Sequence, residues 1–420
     1  MRRSAYRIAV LACLTLTACQ DSTRITQPDA TILLDASEGR GWFQRYVAIG
    51  TSVSQGWFSD GVLAAGQQAS WPAQLARLAQ REMSLPLISG FGCKAPFAAP
   101  LITFLRISGE PVAVTDAAAQ CAPNEPGVAL PTQNLGISGA TTGDALTRTP
   151  ALQTNPLYGQ LYARVLPPGE TQVSAMEKQN PKFVSVELGA NDILGVHSGV
   201  VIPGVSFVPF NVWAAQYNQV LDRVGAITKN VVLVGLGQDI AKLSSLRRGS
   251  ELWADRAAFL AAFHVDVSVD CDANTNLMVV PVLIPTAVGT GLVRRANGLS
   301  PFVLSCAAGT PTTPDRILSA TEEAAVNAQF ALMNAHIQSE ANARGYAFFE
   351  LEALYGLPKG PFSVVSLMTS ATPYGSNISL DGLHPSPSGH AILAQAALQA
   401  INARYNLGIA TVAMGISQNR

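Results

Sequence analysis

Residues 182–188 read KFVSVEL, an alternating run of β-branched and apolar residues that is typical of a buried strand. Similar short runs occur at residues 45–50 (RYVAIG), 230–236 (NVVLVGL) and 346–351 (YAFFEL). Apolar residues at helical spacing predict helices at residues 71–83, 211–228, 320–344 and 387–404. Strands that alternate with helices predict an α/β protein, with a central parallel sheet covered by helices on both faces.

Long interruptions separate these elements. They lie at residues 84–131, 196–209, 237–314 and 355–380 and are rich in Gly, Pro and apolar residues. Structureless connections of this length are uncommon and often functional. We therefore expect long loop insertions that act as lids or binding surfaces.

The composition narrows the class of protein. Of 420 residues, 48% are hydrophobic and 13% are charged, and the formal net charge is −1. High hydrophobicity with low charge excludes a disordered chain. The near-zero net charge provides no basic field for a nucleic acid partner.

The N-terminus has the pattern of a bacterial lipoprotein signal. Arg2, Arg3 and Arg7 precede a short apolar run at residues 8–16, and the sequence Leu-Thr-Ala-Cys then ends at Cys19. We expect a signal peptide at residues 1–18, a palmitate-type lipid anchor on Cys19 and a polar tether at residues 19–40. This would place the protein in the bacterial cell envelope, at the outer membrane. An ordinary signal peptide with an incidental cysteine is the alternative.

Four cysteines lie in the body of the chain. Pairing in chain order closes the shortest loops, so we expect Cys93–Cys121 and Cys271–Cys306 disulfides, with buried free thiols as the alternative. Their spacing does not indicate a metal site. Residues 270–276 carry oxygen ligands at alternate positions but lack the glycine and glutamate of a calcium loop, which favours a solvated turn over a metal site.

Four polar blocks stand out: two follow predicted strands, one follows a turn-rich segment and one precedes the last helix. They are Gly50-Thr51-Ser52, residues 134–141 (NLGISGAT), Gly189-Ala190-Asn191-Asp192 and Asp381-Gly382-Leu383-His384. The carboxyl ends of parallel strands meet at one edge of a sheet, where ligands bind. The blocks are therefore expected to converge.

This set of blocks, in this order, resembles the SGNH hydrolases, also called the GDSL esterase/lipase superfamily. The resemblance implies a flavodoxin-like three-layer α/β/α sandwich. It also implies that residues 41–420 form one SGNH hydrolase-like catalytic domain, which contains the insertions. It also implies Ser52 as nucleophile, His384 as base and Asp381 as its partner. The implied oxyanion hole consists of the Ser52 amide, the Gly139 amide and the Asn191 side chain. No cofactor is expected.

The residue types fit this chemistry. A serine hydroxyl needs a neighbouring base, and a carboxylate behind an imidazole fixes its tautomer. Asp381 and His384 are three residues apart, so one turn can bring both to a site. One residue departs from the family pattern, because Thr51 stands where an Asp is usual. Gly136 is a rival to Gly139 as the oxyanion donor.

The remaining histidines lack a comparable partner. His197, His264 and His336 are interpreted as surface or satisfied residues, and His390, just inside the last helix, is expected to be exposed. The chain contains no Gly-x-Ser-x-Gly, which argues against the α/β-hydrolase nucleophile elbow.

Three functional hypotheses follow. The first is a lipid-anchored serine esterase or lipase acting on acyl esters through an acyl-enzyme, with the apolar residues 200–210 either lining an acyl groove or packing on the core. The second is a polysaccharide O-acetyl esterase or acyltransferase, for which sugar-binding tryptophans are candidates: Trp42, Trp57, Trp71, Trp213 and Trp253. The third is a non-catalytic binding lipoprotein, which Thr51 would favour. The oligomeric state stays open.

Overall fold

The computed structural model describes residues 40–113, 116 and 118–411. The expected signal peptide, the lipidation site Cys19 and nearly all of the tether therefore lie outside the described residues. No helix in the described ranges is both long enough and apolar enough to cross a bilayer.

The described strands are short. They are β1 (Tyr46–Gly50), β2 (Phe183–Glu187), β3 (Val231–Gly235), β4 (Leu246–Arg248), β5 (Val265–Val267), β6 (Leu277–Val279), β7 (Phe302–Leu304), β8 (Ile317–Leu318) and β9 (Ala347–Glu350).

Helices connect and cover these strands. They are α1 (Ser52–Gln55), α2 (Ala64–Ala69), α3 (Trp71–Leu78), α4 (Thr142–Thr147), α5 (Pro156–Val165), α6 (Gln172–Gln179), α7 (Ala190–Ile193), α8 (Phe210–Ile227), α9 (Gly249–Ala254), α10 (Arg256–Phe263), α11 (Val280–Ala296), α12 (Ala320–Arg344), α13 (Glu352–Tyr355), α14 (Val364–Thr369) and α15 (Pro387–Tyr405). Short 3₁₀ helices lie at Phe43–Arg45, Leu101–Thr103, Pro150–Leu152, Leu194–Ser198, Ile240–Lys242 and Val269–Cys271.

The central sheet is parallel, in the order β1-β2-β3-β9. An irregular segment, residues 133–137, extends it beyond β1. There Leu135 N–H donates to Ala48 O at 2.9 Å, and Ile137 N–H donates to Gly50 O at 3.0 Å. Its parallel direction brings the block at residues 134–141 to the same edge as the end of β1.

Successive side chains of each strand point to opposite faces of the sheet, so the core has two layers. Val47 and Ile49 of β1 face one cluster, which also contains buried residues of α8 and α12. Tyr46 and Ala48 face the opposite cluster, with residues of α3 and α15. This is the three-layer α/β/α arrangement, so the predicted fold class is confirmed.

The predicted strands and long helices agree with the observed ones to within one or two residues at most ends. The helix expected at residues 71–83 is the exception, since α3 ends at Leu78. There Arg81 N–H donates back to Ala76 O, and Gln80 adopts a positive φ of 58°. This turn closes the helix before its apolar pattern ends.

The interruption at residues 237–314 is not the structureless loop that was expected. It contains β4 to β7 and α9 to α11, and α11 alone has 17 residues. Leu252, Phe259 and Ile284 belong to a third hydrophobic cluster built mainly from this insertion. The prolines that suggested a loop are accommodated in α11, where one lies in the first turn and Pro285 lies inside the helix.

Both disulfides pair in chain order, Cys93 with Cys121 and Cys271 with Cys306. Beside the second bridge, the Asp270 carboxylate accepts the N–H of Cys306 at 3.1 Å and the hydroxyl of Ser305 at 2.5 Å. The first part of the 270–276 segment is thus a turn closed by hydrogen bonds within the protein.

Candidate active site

The turn after β1 positions Ser52. Ser52 is the first residue of α1, is 5% exposed and lies directly beyond the end of the sheet. Thr51 caps the helix in an extended conformation, and Gly56 ends it with a φ of 85°. The tight turn places a buried hydroxyl at the edge where the other polar blocks converge.

The structure brings Ser52, His384 and Asp381 into one hydrogen-bonded chain. His384 Nε2 lies 2.9 Å from Ser52 Oγ, and His384 Nδ1 lies 2.8 Å from Asp381 Oδ2. An imidazole that donates its Nδ1–H to a carboxylate presents Nε2 as an acceptor for the serine hydroxyl. The arrangement suits proton transfer from serine to histidine.

Asp381 is held by several donors besides the imidazole. Its Oδ1 accepts the N–H groups of Leu383 at 3.0 Å and His384 at 2.9 Å, and its Oδ2 accepts the N–H of Asp60 at 2.9 Å. Burial raises the pKa of Asp381, but the charge and hydrogen bonds of His384 and the backbone donors outweigh it, so the pKa falls to about 2. The carboxylate stays ionised at neutral pH.

The expected oxyanion donors lie around the same space. Ser52, Gly139 and Asn191 all line one cleft, together with His384. The Asn191 side chain donates to Ala140 O at 2.9 Å, which leaves its second N–H available. Among the hydrogen bonds of the described residues, the N–H groups of Ser52 and Gly139 donate to no protein acceptor.

The two candidate glycines differ in their surroundings. The N–H of Gly136 donates to Asn134 Oδ1 at 2.9 Å, and a Cβ at Gly136 would lie 2.7 Å from the backbone nitrogen of Gln55. Gly139 has a φ of 78° and a free N–H. The geometry therefore favours Gly139 over Gly136 as a donor, as the motif suggested.

Asp192 ties two blocks together. Its Oδ2 accepts the N–H of Thr142 at 3.0 Å and the Thr142 hydroxyl at 2.9 Å. Burial raises the pKa of Asp192 to about 6, while the Thr142 hydrogen bonds act in the opposite direction. This contact fixes the position of Asn191 relative to the turn that contains Gly139.

Two cavities flank Ser52 and His384. One is a narrow apolar cavity of about 80 Å³, whose walls include Val53, Ile240 and Phe330. The other is an open cleft of about 390 Å³, whose walls include polar and aromatic side chains: Trp57, Asp60, Lys94, Tyr158 and Arg316. The site can therefore hold an apolar part of a ligand in one cavity and a polar part in the other.

Two residues of the candidate site, His197 and Glu187, were not expected from the sequence. His197 lines both cavities, and burial, followed by the nearby charges of Arg316 and His384, lowers its pKa to about 4. Glu187, at the end of β2, accepts hydrogen bonds from Thr51, next to the candidate nucleophile. The available signal was an acidic residue at the end of a strand that is otherwise almost entirely apolar.

Three expectations about side chains need correction or refinement. His390 is buried, at 2% exposure, rather than exposed, because it lies on the inner face of α15, and this burial lowers its pKa to about 3. Of the five candidate tryptophans, Trp71 and Trp213 are fully buried in the core, and Trp57 lines the cleft. Phe207 and Phe210, from the 200–210 segment, pack on the core rather than lining either cavity.

The sequence matches no protein-family model and no curated protein. Its structure resembles an acetylxylan esterase, Axe2, from Geobacillus stearothermophilus, with 13% identity over 85% of this chain and 93% of that chain and a TM-score of 0.34. It also resembles LAE5, an α/β hydrolase enzyme from the metagenome of Lake Arreo, Spain (13% identity, 86% and 95% coverage, TM-score 0.34). A third similar structure is an extracellular lipase from Streptomyces rimosus (16% identity, 86% and 98% coverage, TM-score 0.32).

With identities of 13–16% and TM-scores of 0.32–0.34, these likenesses do not assign a function to the chain.

Proposed function

We propose that the protein is a serine esterase of the SGNH type that hydrolyses acyl esters through a covalent acyl-enzyme. The observation that carries this proposal is the Ser52–His384–Asp381 chain, with separations of 2.9 and 2.8 Å, beside three donor groups free to bind an anion. A buried serine with this set of partners has the parts that acyl transfer requires.

In the first step, Ser52 Oγ attacks the ester carbonyl carbon while His384 Nε2 takes its proton. The Asp381 carboxylate holds the imidazole in the required tautomer and stabilises the imidazolium. The carbonyl π electrons move onto oxygen, and the N–H groups of Ser52, Gly139 and Asn191 stabilise that negative charge. The imidazolium then gives its proton to the departing alkoxide, which leaves as the alcohol.

In the second step, water attacks the acyl-Ser52 carbonyl and His384 takes the proton of the water. A second oxyanion forms in the same site and collapses with release of the carboxylic acid. His384 returns the proton to Ser52 Oγ. The chemistry needs no redox change.

The two cavities suggest where the two parts of the ester substrate bind. We infer that the narrow apolar cavity takes the acyl chain and that the open cleft takes the alcohol. A cavity of roughly 150 Å³ holds benzene, so about 80 Å³ suits an acyl chain of about three or four carbons. The substrate class is then a short-chain ester of a polar alcohol.

An O-acetyl esterase acting on a polysaccharide is the second candidate. Tyr158 lines the open cleft beside Asp60 and Lys94, a mixture suited to contact with a sugar ring, whereas Trp57 borders the cleft but is only 4% exposed. The acetyl group would fit the narrow cavity. Comparing acetylated xylan with short-chain aryl esters separates the two candidates.

We also propose that Cys19 carries a lipid anchor. This rests on the sequence pattern alone, and it would keep the esterase at a membrane surface in the cell envelope.

The test of the central role is Ser52→Ala. Because the hydroxyl is the attacking group, we expect kcat on p-nitrophenyl acetate to fall by ~10⁴–10⁶-fold with the folded state retained. Initial rates measure the first quantity, and circular dichroism with thermal unfolding measures the second. A folded Ser52→Ala protein with wild-type turnover would contradict the assignment of Ser52.

A further inference from the structure

Glu187 is a buried carboxylate that contacts the residues on either side of the candidate nucleophile Ser52. It is 1% exposed and is the last residue of β2. Its Oε2 accepts the N–H of Thr51 at 2.9 Å, the N–H of Ser54 at 3.2 Å and the Ser54 hydroxyl at 2.9 Å. The Thr51 hydroxyl donates to Oε1 at 2.8 Å. Four donors from one short turn therefore converge on a single carboxylate.

The sheet register explains how a side chain of β2 reaches a turn that follows β1. Gly50 and Glu187 are register partners at the ends of the two parallel strands. A Cβ at Gly50 would lie 2.9 Å from Glu187 Oε2 and 2.2 Å from Ser54 Oγ. Because Gly50 has no side chain, the carboxylate can reach the turn. The contact between Glu187 of β2 and the turn therefore requires a glycine at position 50 of β1.

The contacts act on both sides of Ser52. Thr51 precedes it and Ser54 follows two residues later, and Glu187 holds both by main-chain and side-chain donors. The N–H of Val53 makes a long 3.4 Å contact with Thr51 Oγ1. Of the backbone N–H groups at residues 51–54, only that of Ser52 has no acceptor within the described part of the chain. The carboxylate therefore fixes the backbone on either side of the one N–H needed for the oxyanion.

We propose that Glu187 is a positioning residue for catalysis, which holds the Ser52 turn so that its Oγ meets His384 and its N–H stays free for the oxyanion. The inference rests on the proposed function. It explains how Thr51 can stand at a position where the family usually has an Asp: the carboxylate that organises the turn comes from the neighbouring strand, and the Thr51 hydroxyl binds it. Burial raises the pKa of Glu187, and the hydrogen bonds from Thr51 and Ser54 oppose this rise.

A purely structural role is the competing explanation. In that case loss of the carboxylate would lower stability, while kcat of the folded molecules would not change. A positioning role lowers kcat, because misplacing an attacking group by about 1 Å can cost ~10²-fold in rate. KM would change little, since Glu187 lines neither cavity.

The main variant is Glu187→Gln, which preserves the shape of the side chain but turns an NH₂ group toward donors. We expect kcat on p-nitrophenyl acetate to fall by ~10–100-fold, with KM changed by less than about threefold. Rates are to be divided by the folded fraction, measured by near-UV circular dichroism at the assay temperature.

The matched control is Ser185→Ala. Ser185 lies two residues earlier on β2, is fully buried and shares a 2.8 Å hydrogen bond with the Tyr46 hydroxyl of β1. This bond joins the same two strands but does not contact the Ser52 turn. We expect Ser185→Ala to lower the thermal midpoint and to leave kcat unchanged.

A second pair of variants changes Thr51, whose hydroxyl donates to Glu187. This test does not require the Glu187 variants to fold. Thr51→Val removes the hydroxyl with little change in volume, and Thr51→Ser keeps it. We expect a fall of ~10-fold in kcat for Thr51→Val, with most of this loss rescued in Thr51→Ser. The rescue would show that the hydroxyl bonded to Glu187, rather than the bulk of the side chain, matters for rate.

The outcomes separate this inference from the proposed function. If the wild type hydrolyses esters and folded Glu187→Gln keeps the wild-type kcat, the positioning role is wrong and the esterase assignment stands. If Glu187→Gln does not fold, equal kcat values for wild type, Thr51→Val and Thr51→Ser overturn the role. If the wild type hydrolyses no ester and Ser52 reacts with no acylating or phosphonylating probe, both proposals are wrong.

Discussion

At the scale of single residues, the proposed reactivity of Ser52 depends on the charged groups that lie behind it. Two carboxylates, the largely buried Asp381 and the fully buried Glu187, serve different purposes. Asp381 binds the imidazole directly, whereas Glu187 binds the backbone and hydroxyls of the turn. Only Asp381 is expected to change the protonation chemistry of the site.

The lowered pKa of Asp381 predicts a pH-dependent contribution to stability. Its pKa of about 2 in the folded protein lies below the unfolded value of roughly 3.9. The ionised group therefore stabilises the fold fully above about pH 4, and that stabilisation is lost as the pH falls through about 2. The full contribution is about 2–3 kcal/mol, of which about 2 kcal/mol is lost between pH 5 and pH 2.

The measurement is chemical denaturation of wild type and Asp381→Asn at pH 5 and pH 2. The difference in unfolding free energy between the two proteins should shrink by about 2 kcal/mol at the lower pH. A difference that stays constant would show that Asp381 is not held in its ionised form. At pH 7, Asp381→Asn should also lower kcat by ~10⁴-fold, because the imidazole loses the partner that fixes its tautomer.

Local sequence patterns point to some residues of the candidate site and not to others. Ser52, Asn191 and His384 could be selected because each lies in a short motif at a predicted strand end or helix start. Glu187 was visible only as an acidic residue at the end of an apolar strand, and its role could not be predicted, because its partners Thr51 and Ser54 are more than 130 positions away in the chain. Such a contact depends on strand order, which local patterns do not specify.

At the scale of elements, the central strands and long helices were predictable because their patterns are local. Helix α12 illustrates this: Ser319 caps it with Glu322 in a capping box, and Gly345 ends it with a φ of 74°. The insertion helices were not predictable in the same way. In α11, Pro285 lies inside the helix and the residues are apolar on several sides, so the sequence resembled a loop.

Helix α12 also provides the element-scale prediction, since Phe330 forms part of the apolar cavity wall. Phe330→Ala should enlarge the acyl site. Relative to wild type, we expect the ratio of kcat/KM for p-nitrophenyl octanoate to that for the acetate to rise about tenfold. Wild type itself should lose activity beyond about four acyl carbons.

Phe348→Ala is the control for this prediction. Phe348 packs against the same hydrophobic cluster but does not line the cavity, so its variant should lose stability and keep the wild-type chain-length profile. An equal shift in both variants would mean that general loosening, rather than cavity size, sets the preference.

At the scale of the whole molecule, the sheet and the insertions enclose the site together. The sheet edge supplies Ser52 and Asn191, whereas Lys94 and Arg316 of the open cleft come from segments outside the central sheet. The three-layer fold thus positions the triad, and residues of both the core elements and the other segments line the two cavities. Fold class was predictable from the rhythm of elements, but the shape of these cavities was not.

The proposed lipid anchor predicts where the whole protein is found. Cys19→Ser removes the thiol that would be acylated, so the variant should move from the membrane fraction to the soluble fraction on cell fractionation, with kcat on p-nitrophenyl acetate unchanged. A wild-type protein that is already soluble, with an unmodified N-terminal peptide by mass spectrometry, would contradict the anchor.

The proposed function requires that Ser52 is a nucleophile activated by His384. The most direct measurement is reaction of the intact protein with a fluorophosphonate, followed by peptide mass spectrometry. We expect one stoichiometric adduct on Ser52, no adduct in Ser52→Ala and a strongly slowed reaction in His384→Ala. A folded protein that stays unlabelled, or that carries the adduct on another serine, would contradict the proposed role of Ser52.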